Sequence, residues 1–286
     1  MIGIFTALGG IYHLGSRLLR PTRYPITRPP ADLPIDTITF KAEDGLTLSG
    51  WLVRHPEPKA GLLLMHGSGQ NREIMLSRAR FLYDAGYTSL LFDFRGHGES
   101  EGTFRTFGLA EHLDARAALN VLKSLPEIKQ TAVIGFSLGG AASILGEQPL
   151  SSDAFILEAV FPDIRNAIAN RIRLKLGAPY VWATGLLSYQ IPLRTGTRLD
   201  ELRPIENIGN IQAPTFIIAG GADQRATAKE SRQLFEAAGA EKKDFWVIPS
   251  ATHTNFHAVV PKSYEQRVLS FLAAALEEPE PDSATR

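Results

Sequence analysis

The sequence predicts an α/β protein with a doubly wound, mostly parallel sheet and a small helical cap inserted in it. Short apolar runs alternate with helical patterns of ten or more residues, and parallel βαβ units produce this alternation. One interval between two of the runs is about fifty residues long, far more than a single crossover helix needs. Hydrophobic residues make up 44% of the 286 residues and charged residues 21%, so the chain can bury a sizeable core.

The first half of the predicted sheet begins with a hairpin. Two β-rich runs flank Asp44 and Gly45, a dipeptide typical of tight hairpin turns. The continuous apolar run "AGLLLMHG" is typical of a fully buried strand, and residues 72–85 then favour a helix. The strand "YTSLLFDF", a helix over residues 107–125, the strand "TAVIGF" and a helix over residues 138–147 continue the alternation.

The second half contains the long interval. The runs "DAFILEAV" and "APTFIIAG" predict two strands, and the segment between them, about residues 161–207, predicts the cap. This segment is apolar and aromatic in places and rich in arginine. Its basic side chains either face solvent or meet a phosphate, a carboxylate or a membrane surface. A helix near residues 227–239, the strand "DFWVIP" and a closing helix over residues 263–276 complete the pattern.

The sequence divides into an N-terminal segment and linker over residues 1–34, a body over residues 35–276, and an acidic tail over residues 277–286. The apolar run at residues 2–14 is shorter than the roughly 20 residues that span a bilayer, and arginines follow it. It predicts either a membrane-surface anchor formed by residues 1–28 or a helix that packs on the body or on a neighbouring subunit. In the anchored case the arginines indicate that the body stays in the cytoplasm. We therefore expect a cytoplasmic protein, with or without membrane association.

Charge and cysteine content exclude several classes of function. Thirty Lys and Arg residues balance thirty Asp and Glu residues, so no nucleic-acid partner is expected. The chain has no cysteine, which excludes disulfides, thiolate metal sites and a cysteine nucleophile. Its seven histidines lack the paired spacing of metal ligands, so the sequence predicts no metal and no cofactor.

The stretch "AVIGFSLGGAAS", residues 132–143, places one serine among glycines where a predicted strand becomes a predicted helix. The Gly-x-Ser-x-Gly pattern around Ser137 is typical of a nucleophile elbow, in which small neighbours allow a strained backbone that exposes the hydroxyl. The N-terminus of the following helix favours developing negative charge at the same point. The alternative is an ordinary glycine-rich turn.

A serine hydroxyl needs a base to act as a nucleophile near neutral pH, and that base needs an orienting acid. In a doubly wound hydrolase the chain order is serine, acid, histidine. His253 follows the strand "DFWVIP" in a loop of small residues and is preferred over His257. Asp223 follows the strand "FIIAGG", about thirty residues before His253, where such sheets gather functional groups. It is preferred as the acid over Asp163 and Glu158, which lie at the end of the preceding strand.

The segment "MHGSGQN" follows a predicted strand and predicts the donors that stabilise an oxyanion. A glycine-rich bend there aims the backbone N–H of Ser68 at the site, and the N–H of Leu138 is the second donor. His66 and His97 lie in glycine-flanked turns at strand ends, so we expect them to shape those loops. Asp93 is expected to brace the turn that contains His97.

The segments "MHGSGQN", "DFRGHGES", "GFSLGG", "AGGADQ" and "ATHTNFH", in this order and spacing, resemble the α/β-hydrolase superfamily. The resemblance covers roughly residues 36–275 and is greatest to monoacylglycerol-lipase and lysophospholipase-like esterases. It implies that Ser137 is the nucleophile, Asp223 the acid and His253 the base. It also implies that Ser68 and Leu138 supply the oxyanion hole. One feature departs from the family: "DQRATAKE" stands where many relatives continue the acid motif with a β-branched residue and a proline.

The function predicted from these features is hydrolysis of a hydrophobic carboxylic ester, such as an acylglycerol or a lysophospholipid, through an acyl-enzyme on Ser137. An amide hydrolase or peptidase, or an acyltransferase, would use the same elbow. A non-catalytic binding module on a hydrolase scaffold is the alternative from a different class. A dehalogenase or an epoxide hydrolase of this fold is disfavoured, because each would place an aspartate at position 137.

Overall fold

The computed structural model describes residues 12–13, 15–16, 19–20 and 23–276. Most of the N-terminal apolar run and the whole acidic tail therefore lie outside the described residues. The described strands are, in chain order, β1 (Ile35–Lys41), β2 (Thr47–Val53), β3 (Gly61–Met65), β4 (Thr88–Phe92), β5 (Thr131–Phe136), β6 (Ala154–Glu158), β7 (Thr215–Gly220) and β8 (Lys243–Ile248).

These eight strands form one sheet in the order β1-β2-β4-β3-β5-β6-β7-β8. The β1–β2 hairpin is antiparallel, and β2 joins β4 antiparallel. From β4 to β8 every pairing is parallel. The prediction of a doubly wound, mostly parallel sheet is confirmed, and every residue of the inner strands β3, β5, β6 and β7 is buried, as helices on both faces require.

The helices that cover the two faces pack against two separate clusters of buried apolar residues. The described helices are α1 (Leu76–Asp84), α2 (Leu109–Lys123), α3 (Leu138–Ile144), α4 (Ile164–Leu176), α5 (Thr184–Ser188), α6 (Gln190–Thr195), α7 (Pro204–Asn207), α8 (Ala228–Ala237), α9 (Phe256–Val259) and α10 (Pro261–Leu276). One cluster includes residues of α2, α3, α4 and α8, the other includes residues of α1 and α10, and both include residues of the strands. Helices therefore cover both faces of the sheet.

Three predicted helices are longer than the observed α-helices. The helix predicted over residues 107–125 begins only at Leu109, because Phe107 and Gly108 have positive φ angles of 58° and 117° and cannot be part of a right-handed helix. The helix predicted over residues 138–147 ends at Ile144, because Leu145 is extended. The first helix predicted over residues 72–85 starts instead with a 3₁₀ turn at Arg72–Met75.

The long interval between β6 and β7 is helical, as predicted for the cap. It contains α4, α5, α6 and α7, with 3₁₀ turns at Ala178–Ala183 and Leu199–Glu201. Its surface exposes large apolar side chains, among them Tyr180, Trp182 and Leu193. The helix α4 lies next to the carboxyl edge of the sheet, because it begins only a few residues after β6 ends.

The described residues near the N-terminus pack on the body of the protein. Leu19 is completely buried, and its carbonyl accepts a hydrogen bond of 2.9 Å from the Arg105 N–H. Arg194 of α6 donates to Ser16 Oγ and to the Tyr12 carbonyl, both at 2.7 Å. These contacts agree with the interpretation of a packed helix. Within the described part of the chain, no helix has the length and apolar character needed to cross a membrane.

Candidate active site

The ends of three parallel strands bring the predicted nucleophile, acid and base to one edge of the sheet. Ser137 follows β5 directly, Asp223 lies three residues after β7 and His253 five residues after β8. All three are buried. His253 Nδ1 lies 2.7 Å from Asp223 Oδ2, and His253 Nε2 lies 3.2 Å from Ser137 Oγ. The side chains therefore form one hydrogen-bonded chain from carboxylate to hydroxyl.

Backbone N–H groups orient the carboxylate of this chain. Asp223 Oδ1 accepts hydrogen bonds from the N–H of Arg225 at 2.7 Å and the N–H of Ala226 at 3.1 Å, which leaves Oδ2 directed at His253. A carboxylate can only accept, so His253 Nδ1 carries the proton in their hydrogen bond. The lone pair of Nε2 then faces the hydroxyl of Ser137, which is the state that a general base requires.

The backbone at Ser137 is strained, with φ 50° and ψ −105°, a region that residues with a side chain rarely adopt. The neighbouring glycines allow the strand and the helix to pack closely at this bend. A Cβ on Gly135 would lie 2.6 Å from Gly140 Cα, and one on Gly139 would lie 2.6 Å from the carbonyl oxygen of Met65. The glycines are therefore required by close backbone packing, and the strain, of order 1–3 kcal/mol, is held at the residue with the hydroxyl.

The structure places two of the alternative site residues away from Ser137. Asp163 is the N-cap of α4: its Oδ1 accepts from the N–H of Arg165 at 2.7 Å, and its Oδ2 accepts from Arg203 at 2.9 Å. His257 Nε2 lies 2.8 Å from the carboxylate of Glu265 on α10. None of these hydrogen bonds joins Asp163 or His257 to Asp223, His253 or Ser137.

The third alternative, Glu158, contacts the backbone of Ser137 and side chains of two helices. Its backbone carbonyl accepts from the N–H of Ser137 at 2.8 Å. Its carboxylate, which is inaccessible to solvent, accepts from Arg78 at 2.5 Å and from the hydroxyl of Tyr264. Glu158 therefore links α1 and α10 to the strand beside the predicted nucleophile. Sequence reasoning did not single out Arg78 or Tyr264, because each lies in a predicted helix without a motif.

The predicted oxyanion-hole residues lie beside the hydroxyl. Ser68 and Leu138 line the same pocket as Ser137. Neither of their N–H groups donates to another residue in the described part of the chain, so both remain available to a ligand. For Leu138 this follows from its position, because it is the first residue of α3 and the first N–H groups of a helix have no partner within it.

Two buried histidines hold the loop that carries Ser68. His66 Nε2 accepts from the N–H of Phe94 at 3.1 Å, and His97 Nε2 accepts from the N–H of Gly69 at 3.1 Å. Burial lowers the pKa of His66 to about 4 and that of His97 to about 3. Both rings are therefore neutral near pH 7 and able to accept these bonds. The expectation that these histidines shape loops agrees with the geometry.

Asp93 also braces a loop, as expected. Its carboxylate accepts from the N–H and the guanidinium of Arg72, at 2.7 and 2.6 Å, and from the N–H of Glu99 at 3.0 Å. Arg72 and Asp93 are both almost fully buried. This ion pair ties the start of the α1 region to the turn after β4, and it makes no hydrogen bond to the predicted nucleophile, acid or base.

A pocket of about 500 Å³ opens above Ser137, between the sheet edge and α4. Most of its wall is apolar. The apolar side chains that line it are Phe107, Leu138, Phe161, Ile164, Ala167, Ile168, Ile172, Leu176 and Leu187. Four basic residues complete the wall: Arg105, Arg171, Lys175 and Arg225. The sequence pointed to basic residues in the cap, but Arg105 and Arg225 lie outside it and no motif marks them as part of a pocket.

The described residues contain no group of three or more His, Asp or Glu side chains that could hold a metal ion. The geometry of the site itself offers a hydroxyl, a histidine hydrogen-bonded to it, a carboxylate behind the histidine, and two N–H groups beside them. Such a set can perform nucleophilic acyl transfer.

A family comparison matches most of the body. The sequence model described as "Alpha/beta hydrolase family" matches residues 62–266 of this chain. An uncharacterized protein of Mycobacterium tuberculosis strain H37Rv is 30% identical over 240 residues, which cover 82% of this chain and 78% of that protein. The uncharacterized protein YfhR of Escherichia coli K12 is 26% identical over 251 residues, covering 84% of this chain and 81% of YfhR.

A structural comparison agrees with the family match. The structure of an esterase of Pyrococcus furiosus, Pf2001, superposes with a TM-score of 0.75 at 25% identity, covering 90% of this chain and all of that one. An esterase of Exiguobacterium antarcticum superposes with a TM-score of 0.60 at 16% identity, covering 83% of this chain, and this second likeness concerns the fold alone. The finer resemblance to monoacylglycerol-lipase and lysophospholipase-like esterases stays a prediction.

Proposed function

The chain belongs to the alpha/beta hydrolase family, and from this premise we propose that it is a serine esterase that cleaves hydrophobic carboxylic esters through an acyl-enzyme on Ser137. One observation carries the proposal: Asp223, His253 and Ser137 are joined by contacts of 2.7 and 3.2 Å, and Ser137 lines an apolar pocket. The family makes the protein a hydrolase. The esterase assignment is further supported by the likeness to Pf2001, which is described as an esterase.

In the proposed first half-reaction Ser137 Oγ attacks the carbonyl carbon of the ester while His253 Nε2 takes the hydroxyl proton. Asp223 stabilises the imidazolium that forms and keeps its orientation. As negative charge develops on the carbonyl oxygen, this oxygen accepts hydrogen bonds from the N–H groups of Ser68 and Leu138. Collapse of this intermediate breaks the bond to the alcohol, which leaves with the proton from His253.

In the second half-reaction water replaces the alcohol. His253 removes a proton from the water as it attacks the acyl-enzyme, and the same N–H groups hold the second oxyanion. The carboxylic acid is released and Ser137 regains its proton. Besides the ester and water, these reaction steps use only side chains and backbone groups of this protein. No step changes an oxidation state.

The pocket supports a hydrophobic acyl group as the part of the substrate that the enzyme recognises. Its volume of about 500 Å³ lies within the range of small-molecule sites. The helix α4 contributes Ile164, Ile168 and Ile172 to the wall, which repeat every four residues and so lie on one face. We assign the cap, about residues 161–207, the role of closing the acyl pocket over the body.

Labelling with a fluorophosphonate probe tests the proposal. We expect one adduct per chain, located on Ser137 by peptide mass mapping, and none in Ser137→Ala. Hydrolysis of 4-nitrophenyl octanoate should disappear in Ser137→Ala. The matched control is Ser143→Ala, since Ser143 is another buried serine of α3 whose hydroxyl donates to the Gly140 carbonyl at 2.7 Å, and this variant should retain both labelling and turnover.

Two outcomes would contradict the proposal. Turnover that persists in Ser137→Ala would mean that another nucleophile acts. A folded wild-type protein with neither adduct nor turnover would favour a non-catalytic binding module.

Two further assays separate the enzyme classes that share the elbow. Amide substrates of the same acyl group, assayed beside the ester, distinguish an esterase from an amide hydrolase. Transfer of the acyl group to an added alcohol identifies an acyltransferase.

A further inference from the structure

The pocket above Ser137 has an unusual distribution of charge. Its lining includes Arg105, Arg171, Lys175 and Arg225, which we call the basic cluster, and no Asp or Glu side chain among the lining residues of the described chain. An apolar acyl pocket needs no positive charge. Clustered arginines are instead typical of sites that bind carboxylate or phosphate groups, because a guanidinium matches the geometry of both.

Arg105 extends the basic cluster to the reacting centre. Its Nη1 donates to the hydroxyl of Ser68, the residue whose N–H is the first predicted oxyanion donor. The Arg105 N–H is held by the Leu19 carbonyl at 2.9 Å, and its guanidinium carbon lies 5.5 Å from the centre of the Phe107 ring. The guanidinium is therefore fixed at the inner end of the cluster, beside the loop that leads from β3.

The helix α4 supplies two members of the basic cluster. Arg171 and Lys175 are four residues apart, so they lie on one face of the helix, and both line the pocket together with Ala167. Arg171 Nη1 donates to the carbonyl of Ala167 at 2.9 Å, which holds the guanidinium along this face. Arg225 joins the cluster from the loop that carries the predicted acid.

Within the basic cluster, the charge of Arg171 is opposed by those of Arg105 and Arg225, which line the same pocket. The pKa of Arg105 is lowered to about 10, mainly by burial; the charge of Glu111 opposes this shift and the charge of Arg171 contributes to it. Burial likewise lowers the pKa of Arg171, with Arg225 adding to the effect and Asp223 and Glu230 opposing it. An anion placed among these groups would relieve both the repulsion and the loss of solvation.

We propose that the basic cluster binds an anionic group of the substrate, a carboxylate or a phosphate, so that the enzyme prefers esters with a negative charge over neutral esters of the same length. This inference rests on the proposed function and names the substrate class of the same site. The apolar residues of α4 take the hydrocarbon part of the substrate, and Arg171 binds its charged group. Arg171 is then a residue that determines specificity.

Two pairs of substrates test the inference, each differing only in charge. The first pair is the mono-4-nitrophenyl ester of octanedioic acid, with a free carboxylate, against 4-nitrophenyl octanoate. The second pair is a monoacylglycerol phosphate against the monoacylglycerol of the same chain length. The release of fatty acid measures the turnover of this pair. The first pair places a carboxylate on the acyl part and the second a phosphate on the alcohol part, so the two arms distinguish the sources of the anion.

The expected result is a preference for the charged member of at least one pair, of about tenfold in kcat/KM, the scale of one charge-assisted hydrogen bond. Arg171→Gln should raise KM for the charged ester about tenfold more than it raises KM for the neutral ester, with a smaller effect on kcat. Arg171→Lys should restore part of the preference, because it keeps the charge but loses the planar donor pair. Added salt should weaken the preference in the wild type.

The matched control is Arg173→Gln, because Arg173 lies on the same helix, is exposed and does not line the pocket. It should leave the preference unchanged. Equal kcat/KM values for both members of both pairs in the wild type would overturn the inference. An equal loss for charged and neutral esters in Arg171→Gln would overturn it as well, since that would indicate a structural role.

A binding measurement separates this inference from the proposed function. In Ser137→Ala, calorimetric titration with the charged and neutral members should show about tenfold tighter binding of the charged one, lost in the double variant with Arg171→Gln. Preferential binding of the charged member without wild-type turnover would contradict the esterase proposal and support the anion site. Ser137-dependent turnover of neutral esters without any charge preference would sink the anion site and keep the esterase.

Discussion

At the scale of single residues, the geometry around His253 determines which acid can serve the site. Its Nδ1 contacts Asp223 at 2.7 Å, and two backbone N–H groups hold the other oxygen of this carboxylate. Asp163 instead caps α4 and binds Arg203. The missing proline after the acid motif, which departs from the family pattern, therefore leaves the contact between acid and base intact.

Asp223→Asn tests the predicted role of this acid. The amide would no longer hold the proton on Nδ1 of His253, so kcat should fall by about 10⁴ while the protein stays folded. Asp163→Asn is the matched control and should keep kcat within about an order of magnitude, because Asp163 acts as a helix cap. Steady-state kinetics with 4-nitrophenyl octanoate measure both, and circular dichroism monitors folding. A large loss of kcat in Asp163→Asn alone would mean that the acid is wrongly assigned.

The sequence favoured Asp223 as the acid and left Asp163 and Glu158 as alternatives. Glu158 ends β6, and Asp163 and Asp223 follow strands, so all three satisfied the rule that functional groups gather at strand ends. The choice depends on where each carboxylate points, and that is decided by local partners such as Arg78, which binds Glu158. Contacts between residues about 80 positions apart leave no local pattern.

At the scale of the secondary-structure elements, the β5–α3 elbow explains why glycines surround one serine. A Cβ on Gly135 or Gly139 would lie 2.6 Å from backbone atoms of neighbouring elements, well inside van der Waals distance. The sequence pattern predicted both the bend and the exposed hydroxyl. It could not predict that the strand and the helix approach so closely that these glycines are needed for packing as well.

The N-terminal segment is the element for which the sequence left two interpretations open. Its described residues contact the body, since Leu19 is completely buried among residues of the large core cluster. Arg194 on α6 binds the carbonyl of Tyr12 and the hydroxyl of Ser16. These contacts join the segment to the cap, and the Arg105–Leu19 hydrogen bond joins it to the wall of the pocket.

Leu19→Ala tests whether this segment is part of the folded body. We expect the free energy of unfolding to fall by about 2–5 kcal/mol, the usual cost of truncating a buried leucine. The matched control is Leu193→Ala on α6, where the side chain is 69% exposed, and its effect should stay within about 0.5 kcal/mol. Urea unfolding followed by circular dichroism measures both. Equal, small effects would mean that the segment is detached in solution.

At the scale of the whole molecule, buried neutral histidines make stability depend on pH. Burial lowers the pKa of His66 to about 4 and that of His97 to about 3, whereas a histidine in an unfolded chain has a pKa of about 6.5. As the pH falls below about 6.5, the unfolded chain therefore binds protons before the folded one does. The contribution of these rings to stability is full above this pH and is lost progressively from there down toward about pH 3.

Comparison of the wild type with His97→Gln isolates one of these rings. Between pH 7.5 and pH 5.0 the wild type should lose about 2 kcal/mol more of its free energy of unfolding than the variant. Groups that titrate in both proteins cancel, including Asp114, whose pKa burial raises to about 6. The sign of the difference is fixed because the folded pKa lies below the unfolded one.

An independent readout of the same prediction is the ¹⁵N NMR spectrum of the His97 ring in the wild type. The ring should remain neutral at pH 5.0, with an unprotonated Nε2 that accepts from the N–H of Gly69. A titration midpoint near pH 6.5 would contradict the prediction. This readout does not depend on whether His97→Gln folds.

The sequence by itself determined the order of strands and helices, the elbow at Ser137 and the positions of Asp223 and His253 after strand ends. Each of these depends on local patterns, because apolar periodicity and glycine spacing reflect what neighbouring residues do. Only the tertiary structure decided which carboxylate meets His253 and that Arg105, Arg171, Lys175 and Arg225 share one pocket. These residues come from separate segments of the chain, and the folding of the sheet and cap brings them together.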